Sequence, residues 1–122
     1  MERDFELIRR ILKDIEKTSA GEIIENLDYP NAYPTSIVYE HVKLLVDEGF
    51  VEGEALQNNN HEIVVIRIYR LTWKGHDFVK VTQDESLWEK AKSSVLKPTM
   101  SFTFDFLLAW IKEEAKEKLG IP

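Results

Sequence analysis

Cysteine is absent from all 122 residues, which excludes a disulfide framework, a thiolate zinc site and a cysteine nucleophile. Long apolar runs are missing too. Nothing approaches the roughly 20 consecutive apolar residues that span a bilayer, so no membrane segment is predicted and a soluble, cytoplasmic protein is the expectation. Cations are in short supply: Lys and Arg total 16 against 22 Asp and Glu, a formal charge of −6. The global basic character of many nucleic-acid binders is not there. Glycine-rich phosphate loops, nucleophile-elbow pentapeptides and a His-Glu-x-x-His helix are also missing. The histidines His41, His61 and His76 are scattered without paired-ligand spacing, so each is read as a surface or structural residue. No catalytic residue, metal ligand or cofactor is predicted.

What is present is an ordinary globular composition, 43% apolar and 31% charged, long enough to bury roughly two-thirds of the surface the unfolded chain exposes. Phe5, Ile8, Ile11, Leu12 and Ile15 fall on one stripe at three- and four-residue spacing, and Asp4 can cap them, which predicts a first helix over about 4–17. Ser19 and Glu22 have capping-box spacing ahead of Ile23, Ile24 and Leu27, which predicts a second helix over about 20–27. Pro30 and Pro34 make 28–34 a turn or ordered loop. Thr35 or Ser36 can cap a third helix over about 36–48, with Val38, Val42 and Leu45 on one face and Gly49 in the left-handed position that ends it. Stretches 50–56 and 62–71 are rich in Val, Ile, Phe and Tyr and flank the polar tip Gln57-Asn58-Asn59-Asn60-His61, the pattern of a hairpin. Thr72 can cap a helix from Trp73, Asp84 can start another that Pro98 stops, and a last helix runs from about 102 to Gly120.

Three helices followed by a hairpin describe a winged helix-turn-helix: a mostly α fold with a small antiparallel β-hairpin over 1–83, and a C-terminal helical extension over 84–122. Arg3 to Leu12, His41-Val42-Lys43-Leu44-Leu45-Val46-Asp47-Glu48-Gly49-Phe50-Val51-Glu52, and Arg70-Leu71-Thr72-Trp73-Lys74-Gly75-His76-Asp77-Phe78 resemble an uncharacterised family of small winged-helix proteins from bacteria and prophages. The third stretch is the most specific of the three. The resemblance implies the fold and a bacterial or phage origin. It implies no established function and carries over no active-site residue.

On the winged-helix template Thr35, Ser36, Tyr39, Glu40 and Lys43 face outward, with Glu40 where a cation often helps; Thr35, Ser36, Tyr39 and Lys43, with Asn58, Asn59 and Asn60 along a groove and Arg67 beside the wing, are the candidate contacts to DNA. Residues 21–56 hold one cation, Lys43, against eight acids, a local charge of −7 that repels phosphate. Arg9, Arg10 and Lys13, with Arg67, Arg70 and Lys74, can still grip a backbone if they converge. Trp73, Phe78, Trp88 and Trp110 are read as core rather than as stacking platforms. His76 is read as a prop that bonds a backbone carbonyl and fixes its helix against the wing. Phe102, Phe104, Phe106 and Trp110 crowd the last helix with more apolar surface than one core stripe requires, which makes them candidates for a homodimer or partner interface. Two readings remain open: a DNA-binding, transcription-regulator-like module, favoured by the fold, and a protein-binding module such as a phage factor that engages a host protein, favoured by the charge.

Overall fold

The computed structural model describes residues 2–94 and 104–119. It is mixed, with five helices and one small antiparallel sheet in the order α1 (Phe5–Glu16), β1 (Ile24–Glu25), α2 (Thr35–Asp47), β2 (Val51–Gln57), β3 (Ile63–Leu71), α3 (Trp73–Val81), α4 (Glu85–Ser94) and α5 (Phe104–Leu119). The chain divides into two compact units, Met1–His76 and Asp77–Pro122.

In the first unit α1 forms as its stripe demands. The Asp4 carboxylate accepts from the Leu7 N–H, and Leu7, Ile8, Ile11, Leu12 and Ile15 are buried. Strands β2 and β3 pair antiparallel, as the hairpin pattern predicts, with Ala55 opposite Ile66 and Val51 opposite Leu71. Ile66 and Ile68 are fully buried, and α1 and α2 both pack on β3. At the end of α2, Gly49 sits at φ 82°. Its N–H donates to the Val46 carbonyl and the Phe50 N–H to the Leu45 carbonyl, a Schellman ending that turns the chain into β2. His41 is fully buried between α1 and α2. Its Nε2 accepts from the Asp4 N–H at 2.9 Å, so Nδ1 carries the proton and donates to the Ile37 carbonyl at 2.8 Å.

The expected helix over 20–27 is not formed, and two helices rather than three precede the hairpin. Ser19 makes only a turn, its carbonyl accepting from the Glu22 N–H, and Gly21 at φ 86° takes the backbone out of the helical region. The chain then extends so that Ile24 pairs with Ile68 and Glu25 with Arg67, giving a three-stranded sheet of order β1-β3-β2. A local capping pattern was outweighed by a tertiary one, because β-branched Ile23 and Ile24 fit a sheet edge better than one turn of isolated helix. The proline-containing segment 28–34 is an ordered turn, in which the Ala32 and Tyr33 N–H groups both donate to the Tyr29 carbonyl. Helix α2 starts at Thr35, but Pro34 occupies the cap position and no side chain caps it, so the expected Thr35 or Ser36 cap is also corrected. The Thr35 hydroxyl donates to the Asp28 carboxylate instead.

The motif around Thr72 is structural. The Thr72 hydroxyl donates to the Gly49 carbonyl and accepts from the Gly75 N–H, while the Thr72 N–H donates to the Phe50 carbonyl. Two elements are thereby stapled, the end of α2 and the start of α3. Trp73, expected in the core, is 90% exposed. Gly75, Phe78, Val79 and Thr82 form the buried side of that segment, and Trp73 lies across the helix from them.

In the second unit Phe78 meets Trp88 edge-on at 6.3 Å between ring centroids, both rings fully buried. Asp84 caps α4 through the Leu87 N–H, as expected. Helix α5 packs on α4, buries Leu107, Leu108 and Ile111, and receives an ion pair from Lys90 to Glu114. Of the predicted interface residues, Phe106 is exposed and Trp110 is half-buried. Phe102, the side chain of Phe104, Pro98 and Gly120 lie outside the described residues.

Candidate functional site

Helix α2 carries the first group of predicted contacts. Ser36 and Thr35 are exposed in its first turn, which holds no acid. Tyr39, expected to face outward, is 9% exposed, and its phenol is pushed above its ordinary range by burial and then by the charge of Asp28. The ordered 28–34 turn brings Asp28 near it. Lys43 pairs with Asp47 at 2.8 Å, one turn along the exposed helix surface, and that carboxylate holds the ammonium charged. The acids of α2 thus occupy its middle and C-terminal half, at Glu40 and Asp47, followed by Glu48.

The hairpin carries the second group. Asn58, Asn59 and Asn60 are exposed at the tip. Asn58 shapes the turn, its side-chain oxygen accepting from the Asn60 and Glu62 N–H groups. Arg67 stands between Glu25 on β1 and Glu54 on β2, at 3.8 and 3.7 Å, and Arg70 pairs with Glu52 at 2.6 Å. The sheet cations face carboxylates on neighbouring strands, so they do not form a basic strip with α1. His76, expected to brace the wing, has Nδ1 3.7 Å from a Glu16 oxygen and faces α1 instead.

The structure brings a different set together on α1. Arg9, Arg10, Lys13 and Lys17 share an open depression of about 350 Å³ with Glu6, Asp14 and Tyr33. Arg9 is only 7% exposed, whereas Arg10 and Lys17 are exposed. The Arg10 guanidinium lies over the Tyr29 ring at 4.1 Å. The Tyr29 hydroxyl donates to Asp14, which occupies that carboxylate and fixes the ring. Tyr33 borders the depression and directly precedes Pro34, so the cationic face adjoins the first turn of α2, which has no acid of its own. Sequence reasoning flagged Arg9, Arg10 and Lys13 but missed Lys17, Tyr29 and Tyr33. The four-residue spacing of Lys13 and Lys17 was the available signal. Among the described residues no group of three His, Asp or Glu side chains is placed to hold a metal ion, and no helix is long and apolar enough to cross a membrane.

The buried phenol gives this region a pH signature. Burial and then the Asp14 hydrogen bond raise the Tyr29 pKa above its ordinary 10.0. Below about pH 10 the phenol is protonated folded or unfolded, and its contribution is complete. Above that, the unfolded chain releases the proton while the folded chain retains it, so stability falls as pH rises. Urea midpoints of Tyr29→Phe are expected to fall less between about pH 10 and about pH 11 than those of the unsubstituted chain. Equal declines in both proteins would contradict the assignment.

The family described as a hypothetical protein (DUF2513) matches residues 2–101, which take in all three stretches that carried the resemblance. The chain belongs to the DUF2513 family. A relative from Haemophilus influenzae (strain ATCC 51907 / DSM 11121 / KW20 / Rd), an uncharacterized protein, is 26% identical over 105 residues, covering 86% of this chain and 87% of its own length. That relative is bacterial, in keeping with the bacterial origin the resemblance implies. No solved structure matches.

Proposed function

We propose that this DUF2513 chain is a non-catalytic DNA-binding module of winged-helix type, of the kind transcription regulators use. The order α1, β1, α2, β2, β3 supports the fold reading, with the 19–22 turn and β1 where the second helix was expected and the β2–β3 hairpin as the wing. The observation that carries the function is the segregation of charge. The acids of α2 lie away from its first turn, and that turn adjoins the α1 depression with its four cations. The N-terminal end of a presented helix is the part that meets base edges, and here its first turn carries no acid of its own, the carboxylate beside it, Asp28, being engaged by the Thr35 hydroxyl.

Anisotropy of a labelled random-sequence duplex tests the reading. Binding is expected at about 50 mM salt and is expected to weaken steeply toward about 200 mM. Absence of binding at the lower salt removes the proposal.

One observation favours a second reading, a protein partner. Trp73, at 90% exposure, lines an open groove of about 380 Å³ that shares Arg70, Leu71 and His76 with a second depression of about 530 Å³ bordered by the exposed Ile23 and Tyr69. On that reading Trp73→Ala abolishes capture of a specific partner and leaves duplex binding unchanged.

A further inference from the structure

We infer that the phosphate-contacting surface is the face of α1 that carries Arg10, Lys13 and Lys17, and that neither α2 nor the hairpin supplies the electrostatic grip. The inference rests on the DNA-binding reading and names where its affinity originates. Three observations lead to it.

The first is which cations are committed. Lys43 is held by Asp47, Arg70 by Glu52, and Arg67 lies between Glu25 and Glu54. A cation that already faces a carboxylate releases fewer counterions on binding and contributes less to affinity. The Lys13 and Lys17 side chains make no hydrogen bond or ion pair among the described residues.

The second is preorganisation. Arg10 rests on a ring that is itself buried and tied through its hydroxyl to Asp14, so less side-chain freedom is lost when it meets an oxyanion. The same hydrogen bond orients the Asp14 carboxylate toward the phenol without cancelling its charge. Glu6 remains at its edge.

The third is spacing. Arg10 to Lys17 is seven residues, about 10 Å along a helix axis at about 1.5 Å per residue. One DNA strand advances about 3.4 Å along the duplex axis per nucleotide and its phosphates lie roughly 7 Å apart along the strand, so the row reaches two to three successive phosphates. A linear polyanion fits this row better than a single small anion.

Three phosphate contacts predict a slope of log affinity against log salt near −2.7 on duplex DNA, about 40-fold weaker binding on going from about 50 to about 200 mM salt. The test is that slope for the full chain and for the variants Lys13→Gln/Lys17→Gln, Lys43→Gln and Arg70→Gln, each checked for an unchanged melting temperature. The double variant is expected to fall to a slope of about −0.9, about 3- to 4-fold over the same range, while Lys43→Gln and Arg70→Gln keep the full slope. Should the double variant be unstable, the exposed Lys17→Gln alone is expected to reduce the slope by about 0.9. A double variant that keeps the full slope overturns the inference and leaves the DNA-binding reading intact. So does a slope that flattens in Lys43→Gln or Arg70→Gln instead. Failure of the unsubstituted chain to bind duplex at about 50 mM overturns both.

Discussion

Gly75→Ala is expected to destabilise the protein by about 3 kcal/mol, lowering its melting temperature by about 10 °C or more. A Cβ on Gly75 would collide with the Phe50 carbonyl oxygen and press against a Leu71 methyl 3.2 Å away. That carbonyl cannot withdraw, because it accepts from the Thr72 N–H at 3.1 Å, and the Thr72 hydroxyl is tied to Gly49 and Gly75. The collision is with backbone in the most constrained corner of the first unit, so relief requires moving the start of α3 or the start of β2. Gly49→Ala is the contrasting case. Nothing lies within 4 Å of its Cβ, and only the φ of 82° opposes it, so a loss of about 1 kcal/mol is expected. Thermal melts of both variants decide the matter. Equal shifts would show that the Gly75 approach is not the tight one.

Trp88→Ala is expected to remove about 3 to 5 kcal/mol, read as a lower urea midpoint. The indole is the largest fully buried side chain among the described residues, and Phe78 meets it edge-on at 72° between ring planes. Truncation leaves a void that α4 and α5 fill only in part, and it removes the aromatic contact in addition to the transfer term. Trp88→Phe restores most of the volume and is expected to recover more than half of the loss. A loss under about 1 kcal/mol for the alanine variant would mean that this part of the chain is not packed as described.

The contrast between these two sites shows where sequence reasoning succeeds. Periodicity located α1, α2 and the hairpin because their buried positions, Leu12, Val42 and Ile66 among them, repeat at spacings that only one element type satisfies. Asp4, Thr72 and Asp84 were legible as caps because each acts on a neighbour within three residues. The errors share a cause of longer range. Ser19 and Glu22 looked like a helix start because the strand that claims Ile24 lies more than forty residues away, at Ile68. The winged-helix template turns Tyr39 outward, but it does not include the 28–34 turn whose Asp28 lies close to that phenol. Helical spacing among apolar neighbours points Trp73 to the core, but Thr72 fixes the start of α3 and thereby places Trp73 on the outer side. The α1 cations were visible one by one. Their convergence with Tyr29 and Tyr33 depends on how 28–34 folds back, which no local pattern encodes.

The end of β1 has a consequence for how these molecules behave when crowded. Asn26, at φ 50°, stops the strand after two residues, and its side-chain oxygen takes the Ile66 N–H while its own N–H donates to the Ile66 carbonyl. The rung where a third or fourth residue of β1 would have continued is thus closed by a carboxamide. Another chain arriving at that rung finds neither donor nor acceptor to recruit, so the small sheet is guarded there against growing sideways into an aggregate.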